Sequence, residues 1–415
     1  MKTHRITSEV GRLQTVLIHQ PGFEHRKTVP WNKDAMLFDD ILDLDAARRE
    51  HRGFADELSV SGVNVVYLLD LLKEVCEDRT LREKVYLNFL GEELMARVDL
   101  KRLEPWHLIH GWPNRYLITP ETPVPPLPNL YFTRDPAFVI HDCLIIAHLF
   151  WPARKQEGRL LQSVFSLHPD WSHLKVYSGL IEDPEARVEG GDVLVADEHT
   201  VMVGVGERTN EAGVEHLARF LFENTPVERV LKVFLPAKRE FMHLDTVLTF
   251  VDRQRILTLP YLWDRPEYYA GVAEKAKAIC EKYHHRYTGP SPEELAQGSR
   301  LEVMHSDGRR ESVSNVLEGL ANLEIINPDW TVWVGGRLNL YPSQEEHIVA
   351  ALREQWNDAA NTFALAPGRV VCYQRNSRTL QALEEAHVDL VTFHGSELVR
   401  GRGGARCMTM PISRA

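Results

Sequence analysis

The stretch EGGDVLVAD at residues 189–197 joins a polar cluster to a short apolar run, and this pattern recurs along the chain. Related stretches are NLYFTRDPAFVI (129–140), HLDTVLTFVD (243–252) and NTFALAPGRVV (361–371), with a shorter echo, CMTMPI, from residue 407. They begin at intervals of roughly 50 residues, and one interval is about twice as long. The repeat predicts a ββαβ-like unit that recurs around an axis and brings each polar strand start to a common centre.

Between these stretches, β-branched runs alternate with amphipathic segments that have helical spacing. Leu13–His19 and Val370–Tyr373 are typical of the strand-like runs, and Gly213–Phe222 and Ser377–Ala386 are typical of the helical segments. The alternation predicts an α/β fold with short linkers. A doubly wound parallel sheet is the main alternative architecture.

Residues 70–118 depart from this alternation, because they have helical periodicity and few strand signals. We interpret them as a small helical insertion within a single domain that spans residues 1–415. Two ordinary helices of the main domain would produce the same pattern.

The composition excludes several classes of protein. A chain of 415 residues with a formal net charge of −11 and 44% hydrophobic residues is typical of a globular protein. Its longest apolar run, Cys143–Trp151, is well short of the roughly 20 residues that a membrane helix needs. The five cysteines are scattered without a CxxC pair, which favours reduced thiols and a cytoplasmic location. Negative net charge disfavours nucleic-acid binding, so we expect a small or cationic ligand and no nucleic-acid or membrane partner.

The recurring strand starts carry a coherent set of reactive side chains, namely Asp135, Glu189, His243, Asp245 and Cys407. The set offers a thiol nucleophile, an acid/base, a carboxylate to orient the imidazole, and two anions for a cation. A positively charged substrate would lower the pKa of the thiol and so help to form the thiolate. We predict no metal and no organic cofactor. Each residue also has a plainer interpretation, such as a buried structural cysteine or a turn aspartate.

A guanidinium group fits the two aspartates, because Asp135 and Asp245 match its planar pattern of donors. If the substrate is a guanidino amino acid, Arg154, Arg208 and Arg402 would suit its α-carboxylate. A solvated position on the surface is the plainer interpretation of any single arginine.

Eight sequence blocks resemble those of a known family. They occur in the order FDDI (from residue 38), PNLYFTRDP (128), VEGGDVLV (188), GERT (206), MHLDTV (242), REQWND (353), NTFALAPG (361) and SELVRGRGGARCMTMP (396). Together they resemble arginine deiminase, a guanidine-modifying family of the pentein superfamily, over nearly the whole chain. The resemblance implies a five-bladed, pseudo-symmetric α/β propeller with a helical insertion.

The resemblance also implies residue roles. Cys407 would be the nucleophile, His243 the general acid/base and Glu189 its hydrogen-bond partner, while Asp135 and Asp245 would hold the guanidinium. The binding residues implied are Asn129, Arg154, Arg208 and Arg402 for the α-carboxylate and backbone, with Phe132 and Leu37 along the aliphatic stem. The expected reaction converts L-arginine to L-citrulline and ammonia through a covalent thiouronium on Cys407, without a metal or cofactor.

Other functions stay open at this point. The fold would also serve hydrolysis of another guanidine, such as an N-substituted arginine, or amidino transfer to an amine. An inactive binding protein and a binuclear metal hydrolase are less favoured, the latter because clustered Asp and His ligands are missing. The chain departs from the family pattern at Arg337, which is followed by an inserted stretch, 337–352. The sequence also leaves open whether the protein forms a homo-oligomer.

Overall fold

The structure is a computed structural model that describes residues 4–113, 118–119, 122–171, 173–298 and 300–415. Strands and helices alternate along the chain, as predicted for an α/β fold. The strands are β1 Leu13–Ile18, β2 Asn64–Tyr67, β3 Ala137–Ile140, β4 Cys143–Ile146, β5 Lys175–Tyr177, β6 Val193–Asp197, β7 Thr200–Val205, β8 Arg229–Phe234, β9 Leu248–Asp252, β10 Arg255–Thr258, β11 Leu301–His305, β12 Arg310–Val313, β13 Val332–Trp333, β14 Phe363–Ala366, β15 Arg369–Tyr373, β16 Asp389–Phe393 and β17 Met410–Arg414.

The α-helices lie between the strands. They are α1 Leu44–Val60, α2 Leu68–Glu77, α3 Arg79–Met95, α4 His107–His110, α5 Lys155–Leu167, α6 Gly179–Glu182, α7 Glu211–Asn224, α8 Pro266–Lys282, α9 Pro292–Gln297, α10 Val316–Asn322, α11 Gln344–Trp356 and α12 Ser377–Glu385. Several begin at a side-chain cap; for example, Asp43 accepts a hydrogen bond from the Ala46 N–H at the start of α1. No helix among the described residues is both long and apolar enough to cross a membrane.

The described strands form five separate sheets, in the orders β17-β1-β2, β3-β4-β5, β12-β11-β8-β7-β6, β13-β10-β9 and β14-β15-β16. One pattern of pairing is common to all five. A strand pairs antiparallel with one neighbour and parallel with another, as β4 does with β3 and β5 and β15 does with β14 and β16. Four of the five parallel pairs are joined across one α-helix, as parallel strands require a long crossover; between β10 and β13 lie three helices and the β11–β12 hairpin. The alternative of one doubly wound sheet is wrong, because the pairing is split among five sheets.

The third sheet is larger than the other four. The hairpin of β11 and β12 adds to it through antiparallel pairing of β11 with β8. Neither β8 nor this hairpin was predicted. The β-branched run at residues 137–147, which we predict from its composition as one strand, forms two strands, β3 and β4, which turn back on each other at His141 with a φ of 51°.

The predicted insertion, residues 70–118, includes helices α3 and α4 and all of α2 except its first two residues, because α2 begins at Leu68. Helix α3 breaks at Gly91, whose φ of 72° is left-handed and therefore favours glycine. Residues 114–117 of the predicted insertion lie outside the described part of the chain.

The polar strand starts share one structural position. Asp135 precedes β3, Glu189 precedes β6, His243 and Asp245 precede β9, and Cys407 precedes β17. Each of these strands pairs antiparallel with the strand that also has a parallel neighbour in the sheet: β3 with β4, β6 with β7, β9 with β10 and β17 with β1. Short 3-10 turns or loops connect the polar residue to the strand, so that the side chain lies at the strand's entry.

Candidate active site

His243 lies between two carboxylates. Its Nε2 atom is 2.8 Å from Oε2 of Glu189, and its Nδ1 atom is 3.7 Å from Oδ1 of Asp135. All three side chains are buried. The approach is close because Gly191 has no side chain; a Cβ there would lie 2.5 Å from Nδ1 of His243. The second glycine of the EGGD stretch therefore makes room for the imidazole.

The surrounding charges favour an imidazolium at this position. Burial by itself would lower the pKa of His243, but Asp135 and Glu189 raise it to about 9. Burial would likewise raise the pKa of Glu189, but Arg208 and His243 hold it well below its usual range. A second hydrogen bond, from the Phe150 N–H to Oε1 at 2.9 Å, also favours the charged carboxylate. At neutral pH the site therefore pairs a protonated His243 with an ionised Glu189.

Cys407 lies just beyond the glycine-rich turn that ends at residue 404. Its backbone N–H donates to Oδ1 of Asn361 at 3.0 Å, and Asn361 also accepts from the Gly404 N–H at 3.2 Å. The thiol is buried, with Sγ 3.7 Å from Oδ2 of Asp245. Burial raises the pKa of Cys407 well above its usual value, and Asp245, Asp135 and Asp358 raise it further. Without a cation beside it, the sulfur is a thiol.

Asp245 is held by a buried arginine that is next to the cysteine in sequence. Arg406 Nη1 donates to Oδ2 of Asp245 at 2.8 Å, and Arg406 also donates to both oxygens of Glu9, at 3.0 and 3.1 Å. Burial raises the pKa of Asp245, and Arg406 opposes the rise. The sequence analysis assigns no site role to Arg406 or to Glu9, which lies near the other end of the chain.

Arg154 lies beside Asp135 with its donors already engaged. Nη1 contacts Oδ2 of Asp135 at 2.5 Å, while Nε and Nη2 donate to Glu157 at 3.1 and 2.7 Å. Nη2 also reaches the backbone oxygens of Asn129 and Phe132, at 3.3 and 3.4 Å. In this arrangement Arg154 orients Asp135. Its predicted contact with a substrate carboxylate would require one of these bonds to break.

Arg208 and Arg402 are the other two predicted arginines, and each has its own partners in the site. Arg208 Nη1 is 3.4 Å from Oε2 of Glu189. The guanidinium of Arg402 lies over the ring of Trp356, 3.8 Å from its centre, and Nη1 donates to the Trp356 carbonyl at 3.0 Å. Among the described residues, Nε and Nη2 of Arg402 are buried without a hydrogen-bond acceptor, although Nε lies 3.8 Å from Oδ2 of Asp39. These donors are available to an anion.

Asn129, Phe132 and Leu37 lie on segments that meet near the glycine-rich turn. Asn129 Nδ2 donates to the Met36 carbonyl at 2.8 Å, next to Leu37. The Phe132 ring lies against Gly403, where a Cβ would be 2.2 Å from the ring. Leu37 is half-buried and has a φ of 65°. The structure thus brings these predicted residues together around one turn.

Three of the site residues could also ligate a metal. One ligand atom from each of Asp135, Glu189 and His243 lies within 4.8 Å of the others. A cation there would compete with the imidazolium, because both ring nitrogens already face carboxylates. The donor set therefore suits a protonated histidine at least as well as a metal.

The fold and the site together define the class of enzymes to which this chain is similar. Solved structures similar to this chain include the N-terminal domain of ArgZ, a cyanobacterial arginine dihydrolase, covalently bound to a reaction intermediate, with 13% identity and a TM-score of 0.53. The match covers 96% of this chain and 98% of that one. DDAH from Pseudomonas aeruginosa, in complex with citrulline, matches with 14% identity and a TM-score of 0.52, covering 96% and 99%. The fold is thus that of pentein enzymes, here with a buried cysteine, histidine and carboxylates at its strand starts.

Sequence comparison identifies the family. The arginine deiminase family model matches residues 34–93, 92–290 and 336–414, so the stretch 337–352 lies inside the match. The arginine deiminase of Staphylococcus haemolyticus is 32% identical over 99% of this chain and 98% of its own length. That of Listeria monocytogenes serotype 4b is 35% identical over 99% and 97%. The chain belongs to the arginine deiminase family, which confirms the resemblance inferred from the eight blocks.

Proposed function

We infer that this protein hydrolyses L-arginine to L-citrulline and ammonia. The observation that carries the inference is the burial of Cys407 against Asp245, with His243 bridging Asp135 and Glu189, in a chain of the arginine deiminase family. Two carboxylates can bind a guanidinium through its N–H groups, and a thiol beside them is suited to attack its carbon.

Substrate binding would activate the nucleophile. Asp135 and Asp245 are two of the anions that raise the pKa of Cys407. A guanidinium between them adds a positive charge next to the sulfur, which offsets the carboxylates and lowers the pKa of the thiol. The proposal therefore couples formation of the thiolate to the presence of a cationic substrate.

In the first half of the reaction, the thiolate of Cys407 adds to the guanidinium carbon and forms the C–S bond. The protonated His243 gives its proton to the departing nitrogen, and the C–N bond breaks as ammonia leaves. A cationic S-alkylthiouronium on Cys407 and a neutral His243 remain. Glu189 keeps the imidazole oriented and favours its protonated form before the transfer.

In the second half, the neutral His243 takes a proton from water while the oxygen adds to the thiouronium carbon. The C–S bond then breaks, which restores the thiolate and releases protonated citrulline, and citrulline loses that proton to solvent. One histidine therefore serves as acid in the first step and as base in the second. Neither step uses a metal or an organic cofactor.

The remaining predicted residues would bind the amino-acid end of arginine. Arg402 has free donors for the α-carboxylate, and Arg208 and Asn129 border the same region. Phe132 and Leu37 would line the aliphatic stem. Arg154 would act mainly by orienting Asp135, because its donors are engaged there.

A metal-free incubation with L-arginine tests the inference, with mass spectrometry of the product and of the acid-quenched protein. We expect citrulline, and an adduct on Cys407 when turnover is slowed. Turnover of an N-substituted arginine in place of arginine would overturn the substrate assignment, and absence of any product would overturn the activity.

We also propose that the five sheets are the blades of a single propeller domain, with residues 70–118 as its insertion. The support is the common pairing pattern of the five sheets and the position of the reactive residues before the equivalent strand in four of them. A cytoplasmic location is proposed as well, since all five cysteines are free thiols and such thiols persist in reducing compartments.

A further inference from the structure

Asp358 is a buried carboxylate that none of the predicted roles includes. It follows α11 and is 3% exposed. Both of its carboxylate oxygens are buried without a hydrogen-bond donor among the described residues. Burying an ionisable group without a partner costs free energy, so such a residue in a native site calls for an explanation.

The backbone holds Asp358 in an unusual conformation. Its φ is 55°, in the left-handed region that non-glycine residues rarely adopt. Its N–H donates to the Gln355 carbonyl at 2.8 Å, and its own carbonyl accepts from the Asn361 N–H at 3.1 Å. Asn361 is the residue whose side chain receives the Cys407 N–H. Asp358 is therefore built into the same turn that positions the nucleophile.

Asp358 interacts electrostatically with residues of the predicted site. The charges that act on it most strongly belong to Arg402 and Asp245, followed by Arg239 and Asp39. Its own charge acts on Cys407. It thus lies near both the guanidinium site and the arginine with free donors. Burial raises the pKa of Asp358 to about 7, as expected for a carboxyl without a donor.

L-Arginine carries three charged groups, and the roles above account for two. Asp135 and Asp245 serve the guanidinium, and Arg402 with Arg208 serves the α-carboxylate, but no anion has been assigned to the α-ammonium. Asp39, another acidic side chain near Arg402, is one-third exposed and is paired with Arg239 and Arg402 at 3.4 and 3.8 Å. Asp358 is a buried carboxylate of this region, and within the described part of the chain neither of its oxygens accepts a hydrogen bond.

We propose that Asp358 binds the α-ammonium group of the substrate and thereby selects free α-amino acids over guanidines that lack this group. The proposal rests on the proposed deimination of arginine and adds the determinant of its specificity. Arg402 and Asp358 would then hold the two charged groups on the α-carbon, one each. This arrangement also fixes the direction of the substrate stem toward Cys407.

The test compares L-arginine with argininic acid, in which a hydroxyl replaces the α-ammonium, for the wild type and for Asp358→Asn. The wild type should prefer arginine. In Asp358→Asn, kcat/KM for arginine should fall about 10- to 100-fold, the range of a charge-assisted hydrogen bond, mainly through KM. Its kcat/KM for argininic acid should change less than about threefold.

Asp39→Asn is the matched comparison, because it removes one negative charge from the same side of the site. It should reduce turnover of both substrates by a similar factor and so leave the preference for arginine unchanged. Asp358→Glu is a second variant that keeps the test usable if Asp358→Asn folds poorly. Because it retains the charge, it should keep part of the preference for arginine. The proposal would be overturned if Asp358→Asn lowered kcat/KM by the same factor for both substrates, because the preference for arginine would then be unchanged. If the wild type yields no citrulline from arginine, the proposed function itself fails, which is a distinguishable outcome.

Discussion

His243 contacts Glu189 at 2.8 Å from Nε2 to Oε2, and its other ring nitrogen faces Asp135. An imidazole with carboxylates on both sides is stabilised as the imidazolium. It enters the reaction as an acid, which matches the need to protonate departing ammonia.

Replacement of Glu189 should change both the rate and its pH dependence. Because Glu189 and Asp135 raise the pKa of His243 to about 9, Glu189→Gln should lower that pKa and move the alkaline limit of activity to lower pH. We expect kcat to fall about 100-fold, within the range for general acid–base catalysis. The measurement is kcat against pH. Glu185→Gln, at an exposed position nearby in sequence, should leave the profile unchanged; an unshifted profile in Glu189→Gln would contradict the assignment.

Replacement of Cys407 should abolish the covalent step. Cys407→Ala should lose at least about 1,000-fold in kcat, because no other group supplies the nucleophile. Its unfolding transition should stay cooperative, and the protein should still bind arginine. The control is Cys280→Ala, at a partly exposed thiol on α8, which should retain normal activity. Substantial turnover by Cys407→Ala would rule out the covalent mechanism.

Gly191 should tolerate no side chain. In Gly191→Ala the new Cβ would lie 2.5 Å from Nδ1 of His243 and 2.9 Å from Oδ1 of Asp135, so one of these groups must move. Misplacement of this size at reacting groups costs about 100-fold in kcat/KM. Gly53→Ala provides the contrast, because its Cβ meets nothing within 4 Å and it lies inside α1. That variant should keep its activity and gain about 0.5–1 kcal/mol in the free energy of unfolding.

The buried pair of Glu9 and Arg406 should control stability in acid. Burial alone would raise the pKa of Glu9, but Arg406 and Arg134 lower it to about 2 from an ordinary value of 4.5. Its contribution to stability is therefore present above pH 4.5 and is lost as the pH falls toward 2. Glu9→Gln leaves Arg406 without this partner and should cost about 3–5 kcal/mol at pH 7.

Denaturant unfolding at pH 7 and at pH 3 measures this effect, and the difference between wild type and Glu9→Gln should shrink at the lower pH. Glu198→Gln is the control, because its ion pair with Arg5 is about half exposed. It should change the free energy of unfolding by less than about 1 kcal/mol. A difference between wild type and Glu9→Gln that does not depend on pH would contradict the assignment.

Chelation should leave activity unchanged, even though Asp135, Glu189 and His243 lie close enough to hold a cation. The proposed chemistry needs His243 free to carry a proton, and a bound metal would occupy its lone pair. Activity is to be compared before and after dialysis against a chelator. Loss of turnover that zinc or manganese restores would revive the metal-hydrolase alternative.

The sequence alone was enough to determine the family and the positions of the reactive side chains. Each of Asp135, Glu189, His243 and Cys407 precedes an apolar strand, and such a pattern of polar and apolar residues is a local property of the chain. The α/β alternation was also readable, because the central parts of α1, α7 and α12 have strong helical periodicity. Strands β8, β11 and β12 escaped prediction; β8 and β11 pair with each other although they are distant in sequence, and β12 joins the sheet only through β11.

Only the tertiary structure decided how these groups are charged and paired. Arg406 meets Glu9 across 397 positions of sequence, Arg154 is engaged by Asp135, and Asp358 is left with free acceptors. No local pattern reveals these relationships, because the energy of a charge depends on its distance from other charges and on its burial. The sequence therefore determined which chemical groups this protein has, and the fold determined which of them hold one another and which remain free for a substrate.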